Sequence, residues 1–540
     1  MSELVLGIDL GTSNSVAAVV KGGKVIVTAD GEGRRVHPSV VSFHPNGSIL
    51  VGQKAKNRRI IDPKNTIYSS KRLIGRRFRS GEVLQALERV PFAIQEGAQQ
   101  QPVIMARGES YSVPEISALV LSYVRQVAEG YCGQAITKAV ITVPANFNDT
   151  QREATRQAGT LAGLEVLRIL NEPTAAALAY GYGKGMESRI AIFDFGGGTF
   201  DVTVLHLSGN IYEVLATAGD TYLGGDDIDQ RLVEFMVHAF LQQHRVDLRT
   251  DPLAMERLRA VAEQVKIQLS GRTKAVVQVQ EIARGQEGRP IDLSFSITRE
   301  VLHQRVTDIV DRALVVCDEA LRLCGLTVTQ IDDVVLVGGT TRMPLVRERV
   351  MAYFGREPRA DINPDEVVAI GAAIQGAALV QDGTGEGVDA LLLDVTPRGL
   401  GIATVGGFAD TIIQRNAQIP LEQTRVFATT ADNQTAVKIQ VCQGESRRFD
   451  ENTPLGELVL DGLRAAQRGQ VRVSVTFEID PDGILKVRAQ DEETGRAQAA
   501  KIQLLGTLSE EELADLVARR ESTLGRAAMP AAGAALEEEP

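Results

Sequence analysis

The order strand, turn, strand, turn, strand occurs twice along this chain. The first copy lies between residues 4 and 29 and reads LVLGID, SVAAVV and KVIVTA, the last two joined by a KGG turn. The second copy lies between residues 189 and 220 and reads RIAIFD, TFDVTVLHL and IYEVLATAGD. Short apolar runs bounded by glycine, asparagine and serine are typical of strands in hairpins. The repeat therefore predicts two sheets of the same design.

Helical segments lie between and after the two copies of the hairpins. PEISALVLSYVRQVAEG and DTQREATRQAGTLAGLE repeat apolar residues at helical spacing. Strands interspersed with helices predict an α/β body, which we expect to run to about Val380. At 540 residues the chain exceeds what one hydrophobic core usually serves, so further domains are expected.

Beyond Pro397 the pattern changes to that of an antiparallel sandwich. The segment QVRVSVTFEID alternates apolar and polar residues, and AVKIQVCQ does the same. The predicted inward face of the first segment consists of Val471, Val473, Val475, Phe477 and Ile479. We therefore expect residues 398 to 506 to form strands with one face in water. A helix follows, because Ser509 and Glu512 form a capping box, and the alanine-rich and acidic tail is expected to be disordered.

Composition argues against several function classes. The net charge is −11 and no long basic run occurs, so neither nucleic acid nor a membrane surface is an expected partner. The N-terminal MSELVLGIDL has no signal-peptide features, and no apolar run approaches the length of a membrane span. Four cysteines, none at zinc-site spacing, fit a reducing compartment. We expect a cytoplasmic location.

Each duplicated hairpin carries an acidic, glycine-rich turn. The first turn contributes Asp9, Gly11, Thr12, Ser13 and Asn14, and the second contributes Asp194, Gly196, Gly197, Gly198, Thr199 and Asp201. Glycine lets backbone N–H groups approach a phosphate closely, and a carboxylate at the end of a buried strand can hold Mg²⁺ or its water shell. A single turn of this kind is more often an ordinary β-turn. Two of them in duplicated contexts predict a clamp on one triphosphate.

Two further segments are candidates for a purine pocket. In MERLRAVAEQVKIQLS the predicted buried stripe is Leu258, Val261, Val265 and Leu269. That stripe leaves Glu263, Lys266 and Ser270 on another face, from which they could reach a ribose or base edge, although a solvated helix face is the simpler interpretation. In VVLVGGTTRMP, Gly338 and Gly339 allow close backbone approach, and Arg342 could stack on a ring.

Taken together, these motifs resemble the seventy-kilodalton heat-shock protein family of the bacterial DnaK type. The similarity runs from GIDLGTSNS through KRLIGRRF, NEPTAAALAYG, DFGGGTFDVTV, VLVGGTTRMP and LLLDVTPRGLGI to FEIDPDGIL, and covers about nine tenths of the chain. It implies an actin-like ATPase domain with two ribonuclease-H-like halves, then an antiparallel β-sandwich that binds peptides, then a short C-terminal helix.

The resemblance also implies roles for residues of the first domain. Lys71 would place a positive charge near the γ-phosphate, Glu172 and Asp194 would hold the water shell of Mg²⁺ with Asp9, and Thr199 and Asp201 would lie at the hydrolysis centre. The adenosine cleft of the family matches Glu263, Lys266, Ser270, Gly339, Arg342 and Asp365. The expected cofactors are ATP or ADP and Mg²⁺, with K⁺ as an additional cation.

Partner sites follow from the same resemblance. Pro144 and Arg152 match the relay between domains, and Arg168, Asn171 and Asp394 match the docking positions of J-domain co-chaperones. A GrpE-type nucleotide exchange factor and extended, unfolded polypeptides are the other implied partners. The peptide cleft would consist of Ile402, Thr404, Phe427, Val437, Ile439 and Val473, arched over by Val405 and Thr430. The family's arch is usually a methionine and an alanine, which leaves peptide preference open. Without the resemblance, the inward apolar residues would simply be sandwich core.

Two other departures from the family pattern stand out. The sequence ends after about one lid helix, whereas the family continues into a helical bundle, so peptide is expected to dissociate faster. His37, in VHPS, replaces the usual threonine near the exchange-factor surface, and we expect it to be an exposed position of neutral variation.

Three functions remain to be distinguished, and the leading one is an ATP-driven chaperone that binds and releases hydrophobic peptide segments. A specialised paralogue with few clients is a variant of it. The others are an actin-like scaffold that assembles with ATP and a small-molecule kinase on the same core.

The predicted domains are residues 1–384 for the nucleotide-binding ATPase, 385–397 for a linker, 398–507 for the sandwich and 508–540 for the lid helix and tail. Leu391, Leu392 and Leu393, in the linker, either open a strand of the second domain or form a segment that docks on the first.

Overall fold

The computed structural model describes residues 3–185, 187–285, 288–359, 362–380, 391–500 and 507–526. The beginning of the predicted linker and the tail after residue 526 lie outside these ranges. Among the described residues, no helix has both the length and the apolar character needed to cross a bilayer.

The first copy of the hairpins forms the core of the first lobe, which we define as residues 3–185. Its strands are β1 Val5–Leu10, β2 Asn14–Lys21, β3 Lys24–Val27, β4 His37–Pro38, β5 Val41–Phe43, β6 Ile49–Val51, β7 Thr66–Ile67, β8 Ala93–Glu96, β9 Pro102–Ala106, β10 Glu109–Ser112, β11 Lys138–Val143 and β12 Glu165–Asn171. Its helices are α1 Gln53–Arg58, α2 Gly81–Arg89, α3 Val113–Cys132, α4 Asp149–Leu161 and α5 Glu172–Gly181.

The second copy forms the core of the second lobe, residues 187–380. Its strands are β13 Glu187–Phe195, β14 Phe200–Ser208, β15 Ile211–Asp220, β16 Lys274–Arg284, β17 Pro290–Thr298 and β18 Asp333–Val337. Its helices are α6 Gly225–His244, α7 Pro252–Gly271, α8 Arg299–Cys324, α9 Pro344–Phe354 and α10 Val367–Leu379.

The two main sheets confirm the predicted duplication. The first sheet has the strand order β12-β11-β1-β2-β3. The second has the order β18-β13-β14-β15, and two strands from the third part of the chain follow β15. In each sheet the first strand of the hairpins pairs in parallel with a later strand and antiparallel with its hairpin partner. As a result, Asp9 and Asp194 occupy corresponding places near the ends of β1 and β13.

Helices α5 and α10 pack against each other where the two lobes meet. One apolar cluster joins Val5 and Val140 of the first sheet, alanines of α5, and Ile190 and Ile192 of the second sheet. The approach is so close that a Cβ added to Gly371 of α10 would lie 1.7 Å from the Ala175 carbonyl oxygen of α5. Small residues therefore set how near the two lobes, and the turns they carry, can come.

The third part of the chain is the predicted sandwich. Two strands of this part, β19 Leu391–Val395 and β22 Gln418–Ile419, join the second main sheet. The strands of the sandwich itself are β20 Leu400–Thr404, β21 Phe408–Ile413, β23 Leu421–Ala428, β24 Ala436–Gln443, β25 Thr453–Asp461, β26 Arg472–Ile479, β27 Leu485–Asp491 and β28 Ala497–Ala500. Two antiparallel sheets result, β21-β20-β24-β25 and β23-β26-β27-β28, and they enclose an apolar core. Together with the duplicated α/β body, this confirms the predicted fold class.

Strand β26 alternates almost as predicted. All five residues of its predicted inward face are at most 2% exposed, while Arg472 and Glu478 are exposed. Thr476 differs, because it is buried on the other face, where its hydroxyl lies 2.8 Å from that of Thr424. This cross-strand pair satisfies both hydroxyls.

The final helix, α11, spans Glu510–Arg526. Its predicted capping box is confirmed, since the Glu512 N–H donates to Ser509 Oγ at 3.1 Å and the Ser509 N–H donates to Glu512 Oε2 at 2.8 Å. Leu508, Leu513 and Leu516 join the apolar cluster of the first lobe. The helix therefore packs on the first lobe rather than on the sandwich.

Candidate active site

The two glycine-rich turns face each other across the gap between the lobes. A Cβ added to Gly197 would lie 2.0 Å from Ser13 Oγ, and one added to Gly198 would lie 2.7 Å from Thr12 Cγ2. Because only glycine leaves this space, backbone N–H groups from both turns can approach one ligand. Around them lies a cleft, here called the phosphate cleft, lined by residues that include Asp9, Gly11, Thr12, Ser13, Asn14, Lys71, Glu172, Asp194, Gly196, Gly197, Thr199, Gly338, Gly339 and Asp365.

Buried charge is concentrated at one end of the phosphate cleft. Lys71, only 5% exposed, donates from Nζ to Glu172 Oε1 at 2.6 Å. Burial raises the pKa of Asp9 to about 7, and the nearby Glu172 carboxylate adds to that rise. Burial likewise raises the pKa of Asp194 well above its usual range, with Glu172 and Asp201 contributing. The positive charge of Lys71 alone therefore does not balance the negative charge of these carboxylates.

This excess of negative charge fits a hydrated divalent cation. Oxygen ligands such as Asp9 and Asp194 suit Mg²⁺, which usually keeps several of its waters. Within the described ranges, no three acidic, histidine or cysteine side chains converge closely enough to ligate a metal ion directly.

Asp201 lies beside these carboxylates and is held by a residue that the sequence did not single out. Asn146 donates to Asp201 Oδ1 from its side-chain amide at 2.8 Å and from its backbone N–H at 3.3 Å. Burial nonetheless raises the pKa of Asp201 to about 7, and Glu172 contributes to the rise. Asn146 follows strand β11 in VPAN, and nothing local in the sequence indicates that this loop reaches the second lobe.

The predicted adenosine residues are divided between two places. Gly338 and Asp365 line the phosphate cleft, and Gly338 has a φ of 82° with its backbone against the carbonyl of Phe195. Arg342 is paired with Asp365, at 2.6 Å. The three residues on α7 lie apart from the phosphate cleft: Glu263 pairs with Lys56 at 2.7 Å, Lys266 pairs with Asp229 at 2.8 Å, and Ser270 bonds to its own helix. On the same helix, Val261 is only half-buried, so the predicted buried stripe was wrong there, and Ala262 is buried.

A short segment, residues 37–39 and here called the strap, holds the first glycine-rich turn in place. The Ser39 hydroxyl donates to the Gly11 carbonyl at 2.8 Å, and the Ser39 N–H donates to the Ser13 carbonyl at 2.9 Å. Just before Ser39, strand β4 pairs His37 with Ser15. The sequence gives no sign of this strap, because β4 has only two residues.

The expectation that His37 is exposed was wrong. It is only 2% exposed, its ring meets the edge of Tyr123 at 5.5 Å, and its Nε2 has no hydrogen-bond partner among the described residues. Burial lowers the pKa of His37; Arg34 acts in the same direction, whereas Asp30 opposes it. The site therefore favours the neutral ring.

We expect acid to destabilise the fold through His37. Because its folded-state pKa is lowered, the unfolded chain binds the proton more readily, so stability is lost as pH falls below the usual histidine pKa of about 6.5, by at most about 1.4 kcal/mol per pH unit. The melting temperature of the His37→Thr variant should fall less between about pH 7.5 and about pH 5.5 than that of the parent chain. His238→Thr, at an exposed position, is the matched control. Equal falls for the parent and His37→Thr would contradict this role.

The three leucines of the linker lie against the second lobe. Strand β19 pairs in parallel with β15, with Leu391 opposite Ile211, Leu392 opposite Tyr212 and Leu393 opposite Glu213. Leu392 packs against the apolar cluster shared by the lobes, whereas Leu391 is 55% exposed. In this structure the leucines are therefore a docked segment, and β19 extends the second main sheet.

Asp394 fixes the end of the docked segment. It is 8% exposed and accepts hydrogen bonds from the Asn171 amide at 2.9 Å and the Thr174 hydroxyl at 3.2 Å. Arg152, also buried, donates to Asn171 Oδ1 at 2.6 Å. Burial raises the pKa of Asp394, although these donors and the charge of Arg152 oppose the rise.

Direct contacts also join the first lobe to the sandwich. Asp482, in the DPDG turn, pairs with Arg156 at 2.6 Å and with Arg168 at 3.4 Å. The Gln443 amide donates to buried Asp149 at 3.0 Å. Arg77, six residues after Lys71, donates to the Pro454 carbonyl at 3.1 Å. The short segment from Lys71 to Arg77 therefore lines the phosphate cleft at one end and contacts the sandwich at the other.

Comparison with known proteins explains this combination of a phosphate clamp, a docking linker and a sandwich. Residues 5–530 match the family model described as Hsp70 protein. The chain belongs to the Hsp70 family. It is 46% identical over 518 residues to the chaperone protein DnaK of Buchnera aphidicola subsp. Schizaphis graminum, an alignment that covers 95% of this chain and 80% of that protein. The predicted family, its ATPase activity and its ATP-dependent chaperone function are therefore confirmed.

Within this Hsp70, the predicted peptide residues differ in exposure. Ile402, Ile439 and Val473 are at most 4% exposed and belong to the core of the sandwich. Thr404, Phe427 and Val437 are half-buried, and Thr430 is exposed. Val405, predicted for the arch, is 72% exposed. The peptide cleft stays a prediction, and the surface it could use consists of the half-buried and exposed members of this set.

Of the predicted relay and J-domain positions, Asp394 lies in the docked linker, Asn171 bonds to it and Arg152 bonds to Asn171. Pro144 is buried in the loop after β11, and its carbonyl accepts from the Phe147 N–H at 3.0 Å. Asn171 and Asp394 bond to each other, and Arg168 reaches the sandwich through Asp482. Because these residues hold the linker and the sandwich on the lobes, a partner that binds here would act on docking itself.

Proposed function

We propose that this Hsp70 couples ATP hydrolysis to peptide affinity through the linker, and that the arrangement described above is its docked state. The observation that carries the proposal is the parallel pairing of β19 with β15, fixed by buried Asp394. A segment that adds to the ATPase sheet in one state and leaves it in another can link two binding equilibria. The proposed domains are residues 1–384, 385–397, 398–507 and 508–540.

Phosphoryl transfer depends mainly on positioning and charge neutralisation, and the phosphate cleft supports both. Lys71 would stabilise charge on the γ-phosphate and orient the attacking water. Glu172, Asp9 and Asp194 would hold hydrated Mg²⁺, which neutralises phosphate charge when bound. Thr199 and Asp201 would lie at the hydrolysis centre, and K⁺ is an additional proposed ion.

The nucleotide would lie across both turns. Backbone N–H groups of Gly11, Thr12, Ser13, Asn14, Gly196, Gly197 and Gly198 would hold the phosphates. The adenosine would contact Glu263, Lys266, Ser270, Gly338, Gly339, Arg342 and Asp365. Since Arg342 already bonds to Asp365, it is held where its planar guanidinium could lie against the base.

Extended hydrophobic polypeptides are the proposed substrates of the sandwich, and a J-domain co-chaperone and a GrpE-type exchange factor are the proposed partners. The J-domain would bind at Arg168, Asn171 and Asp394, of which Arg168 is half-buried here and the other two are buried, so the J-domain would reach them fully only after the linker moves. The net charge of −11 favours proteins over nucleic acid as partners. We propose a cytoplasmic location.

The test is the steady-state ATPase rate with and without a J-domain and an extended hydrophobic peptide. We expect each to accelerate ATP turnover, because each would favour release of the linker strand β19 from β15, the change that the proposal couples to hydrolysis. Unchanged turnover with both would contradict the coupling, although not the ATPase activity.

A further inference from the structure

Asp226 lies in the first turn of helix α6, in the second lobe, and its backbone contacts the second glycine-rich turn. The Asp226 N–H donates to the Gly197 carbonyl at 2.8 Å, and the Gly225 N–H donates to the Gly196 carbonyl at 3.0 Å. A helix leaves these N–H groups without partners at its N-terminus, so they are available to hold the turn. The backbone of Asp226 is therefore fixed relative to the glycines that line the phosphate cleft.

The side chain of Asp226 crosses to the first lobe and contacts two separate segments there. Its Oδ1 accepts from the hydroxyl of Ser13, in the first glycine-rich turn, at 3.4 Å. Its Oδ2 accepts from the hydroxyl of Ser69 at 3.0 Å, and Arg72 Nε lies 3.9 Å from the same oxygen. One residue of the second lobe therefore connects both glycine-rich turns with the segment that carries Lys71.

Ser69 is the residue that precedes the short helical turn containing Lys71. That turn spans Ser70–Arg72, and the Arg72 N–H donates to the Ser69 carbonyl at 3.1 Å. Ser69 has a φ of 52° and a ψ of 24°, a left-handed conformation that is unfavourable for residues with a Cβ. The hydrogen bond from its hydroxyl to Asp226 opposes this cost, so a contact from the second lobe stabilises the backbone that places Lys71.

We infer that Asp226 is a positioning residue for ATP hydrolysis, because it fixes the place of Lys71 relative to the two glycine-rich turns. Asp226 is not among the residues that line the phosphate cleft, so it acts through Ser69 and Ser13 rather than on the nucleotide. Its contacts lie on both sides of the gap and form together only when the lobes are as close as they are here. The inference rests on the role proposed for Lys71.

The test is single-turnover hydrolysis of bound ATP by the full chain with Mg²⁺. Asp226→Ala should lower the rate constant by about tenfold, because a displaced Lys71 stabilises the developing charge less well. Asp226→Asn should remain within about threefold of the parent chain, since the carboxamide has the same shape and can still bond to the Ser69 hydroxyl. ATP affinity should change less than hydrolysis in Asp226→Ala, because the backbone N–H that holds Gly197 remains. Glu234→Ala, exposed on the same helix, is the matched control.

A double-mutant cycle with Ser69 distinguishes positioning from a general loss of stability. Ser69→Ala removes the other partner of the same hydrogen bond and should also lower the rate constant by about tenfold. The double variant Ser69→Ala, Asp226→Ala should be no slower than Asp226→Ala alone. The rate constant for ATP that is already bound does not depend on the fraction of folded protein, so a loss of stability alone leaves it unchanged.

Two results would overturn the inference: an unchanged rate constant in Asp226→Ala, or losses that multiply to about a hundredfold in the double variant. A tenfold loss in Asp226→Asn would also contradict it, since charge rather than position would then decide the rate. Ser69→Ala tests the same contact from the first lobe if Asp226→Ala does not fold. Lys71→Met is measured alongside: parent-like hydrolysis in that variant is failure of the role proposed for Lys71, whereas a large loss there with parent-like Asp226→Ala is failure of this inference alone.

Discussion

Replacing Lys71 by methionine is expected to lower single-turnover ATP hydrolysis by about 100- to 1,000-fold, the usual cost of removing one fixed group that stabilises developing charge. ATP should still bind, because the backbone N–H groups of both glycine-rich turns remain. Rapid-quench measurement of hydrolysis, with calorimetry for ATP affinity, separates the two effects. Lys54→Met, at an exposed position, is the matched control.

Stability needs its own control in this experiment. Methionine at position 71 leaves the buried carboxylate of Glu172 without its partner at 2.6 Å, which is destabilising. The double variant Lys71→Met, Glu172→Gln removes that charge and should recover folding without recovering hydrolysis. Hydrolysis within tenfold of the parent chain in Lys71→Met would show that Lys71 is only a structural partner of Glu172.

Replacing Leu392 by aspartate is expected to abolish stimulation of the ATPase by peptide and leave ATP binding intact. Leu392 packs against the apolar cluster between the lobes, so a carboxylate there opposes docking of β19 by several kcal/mol. A shift of about 3 kcal/mol is more than a hundredfold in the docked population. The measurement is ATPase rate against peptide concentration, with linker docking followed by protease protection.

Leu391→Asp is the matched control. The Leu391 side chain is 55% exposed, so its replacement should change the free energy of linker docking only slightly. The sequence alone cannot tell which of the two leucines faces the lobe. The structure separates them, as neighbouring residues of a strand point to opposite sides. Full stimulation in Leu392→Asp would mean that β19 is an ordinary strand whose docking does not carry the signal.

The features that the sequence predicted well are local ones. Alternation in β26, the capping box of α11 and the two acidic, glycine-rich turns each depend on residues within about ten positions of one another. The apolar runs before Asp9 and Asp194 are buried strands as predicted, and of the two carboxylates Asp194 is buried and Asp9 is half-buried. Their roles come from the family resemblance and are proposals.

The features that the sequence did not predict depend on distant segments. His37 is buried because β4 pairs with β2 and Tyr123 of α3 covers the ring, and neither contact leaves a pattern near position 37. Asn146 bonds to Asp201, which lies 55 residues further along the chain. Arg77 donates to the carbonyl of Pro454 in the sandwich, 377 residues further along the chain. A polar residue in a loop gives no local sign of which surface it will contact.

The extra strand at the edge of one main sheet makes the two halves of the duplication unequal. In the first sheet β3 is the last strand among the described residues, whereas in the second sheet β15 is followed by β19. Strand β15 also pairs with β14, where Gly219 lies opposite Asp201. Among the described residues, the two repeats therefore differ at this edge: the linker strand adds to the second sheet, and a single strand, β15, separates it from Asp201, the proposed hydrolysis-centre residue on β14.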